Sequence, residues 1–329
     1  MKQKQVAILF ISLLYLQVAS RNSYSQETPL YYRHVNYEQF INPAITGRDH
    51  YPTINLSHKN YWLGTSDSPN STCIGASMRM GKFDFYTPTM MLNKTQILSK
   101  SRMGLGAFMM FENDGPLSYY TSVFSYSYFV PFSRYSISEL SFGLSLQLSQ
   151  YGINESMIHP YDPGDPELND LNSSRPIPEA GFGIYYHNRQ FQIGMSVNEL
   201  LQYRLPYDEI NYSNSARDIF IQTGYKFFLN HFDLEPMLFA GRINNKPIYY
   251  YNQLKLYYQN YNWIALAYKS TNSITVSAGI RAHKMTFAYA YEINVSKLQK
   301  YFGGSHEISL GLNVGLFEPE GIKKTVKVR

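Results

Sequence analysis

The acidic segment 154–178 carries the side chains that are best suited to binding a cation. Its carboxylates include Asp162, Asp165, Glu167 and Asp170. Carboxylate oxygens are ligands that Ca²⁺ prefers, but this spacing does not match the EF-hand loop. Asp-Pro-Gly-Asp-Pro is first of all a turn sequence. We therefore predict no metal site, keep calcium binding as the alternative, and interpret the segment as a loop that contacts a partner.

Histidine and serine, the usual residues of hydrolytic sites, show no catalytic spacing in this sequence. None of the eight histidines belongs to an HExxH motif or to another helix-spaced metal pair. His306 and Glu307 are adjacent in a strand-like segment, so their side chains should point to opposite faces. We predict that the protein is not an enzyme and that it needs no cofactor.

Two Gly-x-Gly pairs resemble fragments of a phosphate-binding loop. Gly104-x-Gly106 and Gly181-x-Gly183 lie inside alternating segments and open no helix. Glycine in a strand often marks a place where another group approaches closely. We therefore interpret both pairs as sites of close packing against a plug or a bulky neighbour.

The N-terminus has the composition of a secretory signal peptide. Lys2 and Lys4 precede an apolar run from Val6 to Leu16, which is too short to cross a bilayer as a helix. We predict cleavage after Ser25. Residues 1–25 carry three basic residues and no acidic one, so the net charge of +5 becomes 5 − 3 = +2 for residues 26–329. That small charge argues against a nucleic-acid partner.

The rest of the chain alternates apolar and small or polar residues, which is typical of β-strands. In Leu140–Leu148, leucine and phenylalanine occupy every second position, and serine, glycine and glutamine occupy the others. Abundant Tyr and Phe, low charge and the lack of a long apolar run predict an all-β transmembrane antiparallel barrel. We count about fourteen strands, at 52–62, 71–81, 102–112, 117–130, 135–150, 179–187, 190–198, 217–228, 232–241, 248–259, 261–269, 273–282, 284–293 and 305–317.

The hairpin within Pro178–Leu201 shows which residues should face lipid. We expect its bulky apolar side chains to face outward and its small or polar ones to face the lumen. The outward set is Phe182, Ile184, Ile193, Met195 and Val197, and the inward set is Gly181, Gly183, Gln192, Gly194 and Ser196. We also expect interfacial girdle tyrosines at Tyr126, Tyr128, Tyr185, Tyr186, Tyr289 and Tyr291.

Connection lengths predict the orientation of the barrel. With a periplasmic N-terminus, connections that follow odd strands lie outside and should be the longer ones. This fits 63–70, 151–178, 199–216 and 294–304, whereas the insertion 82–101 is an exception. We divide the chain into a signal peptide (1–25), an N-terminal plug or periplasmic segment (26–50) that contains Asn42, Pro43 and Gly47, the barrel (51–317) and a periplasmic tail (318–329).

Several motifs, taken in order, resemble the PorP/SprF family of outer-membrane proteins. Residues 41–47, INPAITG, are similar to the family's "NPAYAG" element, and 61–64, YWLG, followed by Ser68-Pro69, are similar to "QWVG…AP". Near the end, residues 287–292, FAYAYE, resemble the "YSYD" strand, and residues 305–311 resemble "SHEISLG". The resemblance extends from about residue 29 to residue 317. The insertion 82–101, Ala290, Glu292 and the tail depart from the family pattern.

The resemblance implies a non-enzymatic role in type IX secretion and gliding of Bacteroidetes. Such proteins support export or surface attachment of cargo proteins, and they work with periplasmic or peptidoglycan-linked components. A channel for a small solute is the alternative, and a secreted soluble β-protein is a third hypothesis. Apart from the acidic loop residues named above, the candidate partner-binding residues are Trp62, Gly64, Pro69, Asn198 and Glu199.

Overall fold

Antiparallel strands account for most of the residues that the structure describes. The computed structural model describes residues 38–49, 52–62, 68–80, 101–132, 138–153, 176–201, 217–229, 232–243, 247–258, 262–295 and 303–314. A short helix, α1 (Glu38–Ile41), and a 3₁₀ turn (Pro43–Ile45) precede the strands. The strands are β1 (Thr53–Asn60), β2 (Asn70–Met80), β3 (Met103–Asp114), β4 (Leu117–Pro131), β5 (Ser138–Ile153), β6 (Ile177–Asn188), β7 (Phe191–Asn198), β8 (Asp218–Tyr225), β9 (Phe227–Phe228), β10 (Phe232–Arg242), β11 (Tyr249–Tyr258), β12 (Asn262–Lys269), β13 (Ser273–Ala282), β14 (Met285–Asn294) and β15 (Ser305–Asn313).

The sheet closes into a barrel of fourteen strands when β8 and β9 are counted as one. Each strand pairs with its neighbours in sequence, and β1 also pairs with β15, where Thr53 lies opposite Asn313. The two-residue strand β9 continues the line of β8, because both pair with β10 in one register. That register places Pro236, which has no N–H, opposite Tyr225, and the ladder is interrupted there. The predicted fold and the strand count of fourteen are thus confirmed.

Strand bounds differ from the predicted ones by a few residues. β5 is shifted by three residues and runs from Ser138 to Ile153 rather than over 135–150, and β15 ends at Asn313, four residues before the predicted end. Apart from 81–102, the connections at one end of the barrel are short, including Arg189-Gln190 and His283-Lys284. At the other end they span 61–69, 154–176, 199–217 and 295–304, although β3 and β4 are joined there by a two-residue turn.

The two faces of the sheet differ in chemistry as the alternation predicts. Large apolar side chains such as Leu144, Ile193 and Met195 are exposed on the outer face, and small or polar ones such as Ser141, Gly194 and Ser196 are buried on the inner face. An apolar surface of this extent, fully paired along its backbone, suits a bilayer. Tyr126 and Tyr289 are exposed on the outer face, but the girdle prediction is wrong for Tyr185, whose side chain is fully buried inside.

Residues 38–48, here called the luminal segment, lie inside the barrel. Asn42 caps the 3₁₀ turn, since its side-chain oxygen accepts a hydrogen bond from the Ala44 N–H at 3.0 Å. Pro43 follows at the first helical position, where its missing N–H has no cost. The turn packs against β4, β5 and β6 and leaves Ala44 and Ile45 with 0% exposure.

Within the described ranges, no helix is long and apolar enough to cross a membrane. The predicted signal peptide, most of the 82–101 insertion, the acidic loop side chains and the 318–329 tail lie outside those ranges. The proposed division of the chain therefore stays a prediction.

Candidate functional site

The luminal segment crosses the interior of the barrel from one wall to the other. Phe40 packs in an apolar cluster with Cys73, Phe108, Met110 and Val123, which belong to β2, β3 and β4. The next residue, Ile41, packs in a different cluster on β8, β10, β11 and β12, with Phe220, Phe239, Ile243, Tyr249, Tyr251 and Ala267. These two groups of strands lie on separate arcs of the fourteen-stranded barrel wall. Two consecutive side chains therefore bridge the lumen.

Inward-facing glycines make room for the backbone of the segment. A side-chain carbon on Gly143 would clash with the Pro43–Ala44 peptide, and one on Gly183 would clash with the Asn42 side chain. Gly104 and Gly106 lie against Thr46 in the same way. The close packing that we predicted for the two Gly-x-Gly pairs is confirmed at Gly104, Gly106 and Gly183.

Strand side chains satisfy the backbone carbonyls of the segment. Ser141 donates to the Ala44 carbonyl at 2.7 Å. Ser196 and Asn198 both donate to the Ile41 carbonyl, at 2.9 and 3.1 Å. Ser127 donates to the Thr46 carbonyl. Each of these carbonyls would otherwise be buried without a hydrogen bond, which is costly. The wall is thus chemically matched to this stretch of chain.

A buried ion pair holds the end of the segment. Arg79 of β2 and Glu139 of β5 form two hydrogen bonds, of 2.7 and 3.1 Å, and both side chains are almost fully buried. Arg79 also donates through Nε to the Gly47 carbonyl at 3.1 Å, and its guanidinium lies 3.7 Å from the centre of the Phe129 ring. Gly47 has a φ of +74°, so a side chain there would be strained as well as crowded.

A series of hydrogen-bonded side chains links the segment to β10. Arg48 donates to Glu38 at 2.9 Å and to the Tyr185 hydroxyl at 3.0 Å. Tyr185 donates to Gln192 at 2.6 Å, and Gln192 donates to Glu235 of β10 at 3.3 Å. The Arg48 guanidinium is charged, as arginine is throughout proteins. Tyr185 connects it to the barrel wall.

The structure brings the candidate plug residues together and separates them from the candidate loop residues. Asn42, Pro43 and Gly47 all lie in the luminal segment. At the rim with the longer connections, the Tyr61 N–H donates to the Pro69 carbonyl at 2.8 Å and closes the base of the 61–69 loop. Trp62 follows with a φ of 50°, a left-handed conformation that is uncommon for a bulky residue.

Of the other candidate loop residues, the structure describes only Asn198 and Glu199. Asn198 points into the lumen, where it binds the Ile41 carbonyl, and Glu199 follows it with a φ of 57°. Gly64, Asp162, Asp165, Glu167 and Asp170 lie outside the described residues. A partner-binding role for the loop residues, and a plug role for the segment, stay predictions.

The described part of the chain contains no group of three His, Cys, Asp or Glu side chains that could hold a metal ion. His306 and Glu307 face opposite sides of β15, as predicted, because Glu307 is buried and His306 contacts the outward Tyr289 hydroxyl. Wall side chains, among them Ser141, Ser196 and Arg79, hydrogen-bond to backbone carbonyls of the luminal segment.

Comparisons with solved structures find porins. The chain aligns with the KdgM porin at a TM-score of 0.37 and 10% identity, covering 79% of this chain and 98% of that one. A triple mutant of the Rhodopseudomonas blastica porin aligns at a TM-score of 0.34 and 8% identity, covering 80% of this chain and 98% of that one. A search of curated proteins found no match.

A family model matches residues 23–312, which is most of the chain and includes the luminal segment and all but the last residue of the barrel strands. The family is described as type IX secretion system membrane protein PorP/SprF. The resemblance seen in the sequence is therefore confirmed. This chain belongs to the PorP/SprF family of type IX secretion system membrane proteins.

Proposed function

We propose that the protein is an outer-membrane docking barrel of the type IX secretion system. It supports export or surface attachment of cargo proteins through protein-protein contacts and has no catalytic activity. The observation that carries this proposal is the bridging of the lumen by Phe40 and Ile41, which pack on two separate arcs of the wall. A barrel that is filled in this way serves as an anchor rather than as a conduit.

Burial of the inner face supports docking over solute transport. Porin-type barrels enclose a polar, water-filled lumen. Here many inward side chains are buried, as Ser71 of β2, Ser127 of β4 and Ser273 of β13 illustrate. A small solute would have to displace packed side chains along its path.

The surfaces that remain for partners are the two ends of the barrel. In this proposal the loops with Trp62, Gly64, Pro69 and Glu199 engage exported protein, together with the acidic loop residues Asp162, Asp165, Glu167 and Asp170. Periplasmic components of the machinery, among them a peptidoglycan-linked protein, meet the opposite end, at which β2 ends and β3 begins. Asn198 is better assigned to holding the segment, because its amide binds the Ile41 carbonyl.

The test is a deletion of the gene followed by quantification of every type IX cargo on the cell surface. We expect one or a few cargo proteins to be lost from the surface and restored by the wild-type gene. A loop variant that assembles normally, such as Trp62→Ala, should restore them less well. Unchanged surface levels of all cargo proteins would refute the proposal. Loss of uptake of a small solute with cargo unchanged would favour the channel alternative.

A further inference from the structure

Part of the inner wall stays accessible beside the luminal segment. It lies on β14, β15 and β1, at the end of the barrel where β13 and β14 are joined by the short turn His283-Lys284. The register places Gly311 opposite both Asn55 and Thr286, and Ser309 opposite Ala288, so these residues form one continuous inward surface. All five are half-buried. This surface, here called the open arc, consists of Asn55, Thr286, Ala288, Ser309 and Gly311.

The exposure of the open arc ends further along the same three strands. The next inward residues are Ser57 of β1, Glu307 of β15 and Ala290 of β14, which are 1%, 5% and 7% exposed. The open arc is therefore a recess that is entered from the end with the short turns. In the proposed orientation of the barrel, this end faces the periplasm.

The open arc has the chemistry of the wall that holds the luminal segment. On β5, Gly143 leaves room for the backbone of the segment, and Ser141 donates to one of its carbonyls. The open arc likewise has a glycine, Gly311, beside the hydroxyl groups of Ser309 and Thr286. Hydroxyl groups both donate and accept hydrogen bonds, so they can bind the N–H and carbonyl groups of an extended chain. The open arc is therefore suited to a polypeptide backbone.

Two cationic side chains flank the open arc on its β13 side. Arg281 lies directly opposite Thr286 in the β13–β14 ladder. The Trp263 indole covers Gly279, which lies opposite Ala288, because a side-chain carbon on Gly279 would clash with that ring. The Lys255 ammonium lies 4.1 Å from the centre of the same indole. The indole therefore connects Lys255 to the edge of the open arc.

The charge around the open arc is positive only. Residues 53–56, 277–289 and 309–313 contain no Asp or Glu. Glu235 lies opposite Lys255 in the β10–β11 ladder, but its carboxylate accepts hydrogen bonds from Tyr257 at 2.8 Å and from Gln192 at 3.3 Å. Complementary charge favours the right partner and excludes wrong ones, so a ligand of this recess should be acidic.

We propose that the open arc binds an extended, acidic segment of a periplasmic protein. The hydroxyl groups of the arc contact the backbone of that segment, and Lys255 and Arg281 bind its carboxylates, for which the arginine fork is well shaped. The assignment rests on the docking function proposed above and describes the chemistry of its periplasmic partner.

The experiment places a photo-crosslinking amino acid at Ser309 of the full-length protein in living cells. Ile308, the adjacent residue on the outer face, is the matched control position. Mass spectrometry identifies the crosslinked protein and the crosslinked peptide. The pair Lys255→Gln/Arg281→Gln removes both charges, and the pair Lys255→Arg/Arg281→Lys keeps them. The heat-dependent electrophoretic shift of folded barrels reports assembly, and surface levels of cargo are measured in the same cells.

We expect an adduct at Ser309 and none at Ile308, and a crosslinked peptide from a periplasmic protein that is rich in Asp and Glu. The yield should fall several-fold in the glutamine pair and recover in the charge-keeping pair. If the glutamine pair does not assemble, Arg281→Gln alone gives the same comparison.

A crosslink to the 318–329 tail of the same chain, or to a peptide without acidic residues, would overturn the proposal. An unchanged yield in the glutamine pair would do so as well. Absence of an adduct in cells that display cargo normally would overturn it and leave the docking function standing. Failure of the docking function itself is seen separately, as unchanged surface cargo after deletion of the gene.

Discussion

The Arg79 guanidinium and the Glu139 carboxylate form a two-hydrogen-bond ion pair across the inner wall, although β3 and β4 lie between their strands. The same guanidinium binds the Gly47 carbonyl of the luminal segment. The pair therefore ties two non-adjacent strands and the segment into one unit. Breaking one side of it should affect both the barrel and the segment.

Arg79→Met should strongly destabilise the protein. It leaves the Glu139 carboxylate buried without its partner, and such a loss usually costs about 3–5 kcal/mol. The double variant Arg79→Met/Glu139→Met should lose much less than Arg79→Met alone, because no unpaired charge remains. Urea unfolding in detergent, followed by tryptophan fluorescence, measures these differences. Arg102→Gln, at an exposed position before β3, is the control and should be neutral.

Two glycines of β5 provide a matched test of the close contact between the barrel wall and the luminal segment. Gly143→Ala places a carbon against the backbone of Pro43 and Ala44, whereas Gly152→Ala meets nothing closer than 3.8 Å. We expect only Gly143→Ala to displace the segment and expose it to added protease. If the two variants were equally resistant to proteolysis, the segment would not be seated where the structure has it.

The serine donors should contribute measurably to holding the segment. Ser141→Ala leaves the buried Ala44 carbonyl without this donor, and an unsatisfied buried group typically costs about 1–3 kcal/mol. Protease accessibility of the segment should rise accordingly. Ser122→Ala on the neighbouring strand β4, whose side chain faces outward, should leave it unchanged. Equal protease accessibility of the segment in the two variants would show that the hydrogen bond from Ser141 to the Ala44 carbonyl does not help to hold the segment.

The lipid-facing surface can be tested with one substitution at two exposed leucines. Leu144 lies in the middle of the outward face of β5, and Leu201 lies beyond the end of β7. Arginine on a lipid-facing strand costs about 2–4 kcal/mol near the bilayer midplane and little near its edges. Leu144→Arg should therefore impair membrane assembly, as judged by the fraction of heat-shiftable barrel, and Leu201→Arg should not. Normal assembly of Leu144→Arg would contradict the orientation of β5.

Strand positions followed from the sequence because the period of two is a local property. The alternation in Leu140–Leu148 indicates which side chains share a face, and the structure has Leu144 outside and Ser141 inside. The same alternation places Tyr185 and Asn198 on the inner face. We assigned Tyr185 to a girdle and Asn198 to a loop because their residue types suggested those places. Their positions in the alternation of inward and outward residues would have been the better guide.

The site itself depends on contacts that sequence spacing does not encode. Lys59 and Glu292 are 233 positions apart, and they meet only because β1 and β15 close the barrel. Likewise, the composition of residues 26–50 predicted a non-strand element inside or beneath the barrel, but no local signal indicated that Gly143 would face it. The Gly-x-Gly pairs were the one usable hint, since glycine in a strand marks close approach.

A barrel that is sealed and acts by docking proteins should not conduct ions. The conductance of the purified full-length protein in planar lipid bilayers measures this. We expect no stepwise conductance above that of the bare membrane, because Phe40 and Ile41 bridge the lumen. Reproducible conductance steps from the wild-type protein, absent with a misfolded control, would contradict it.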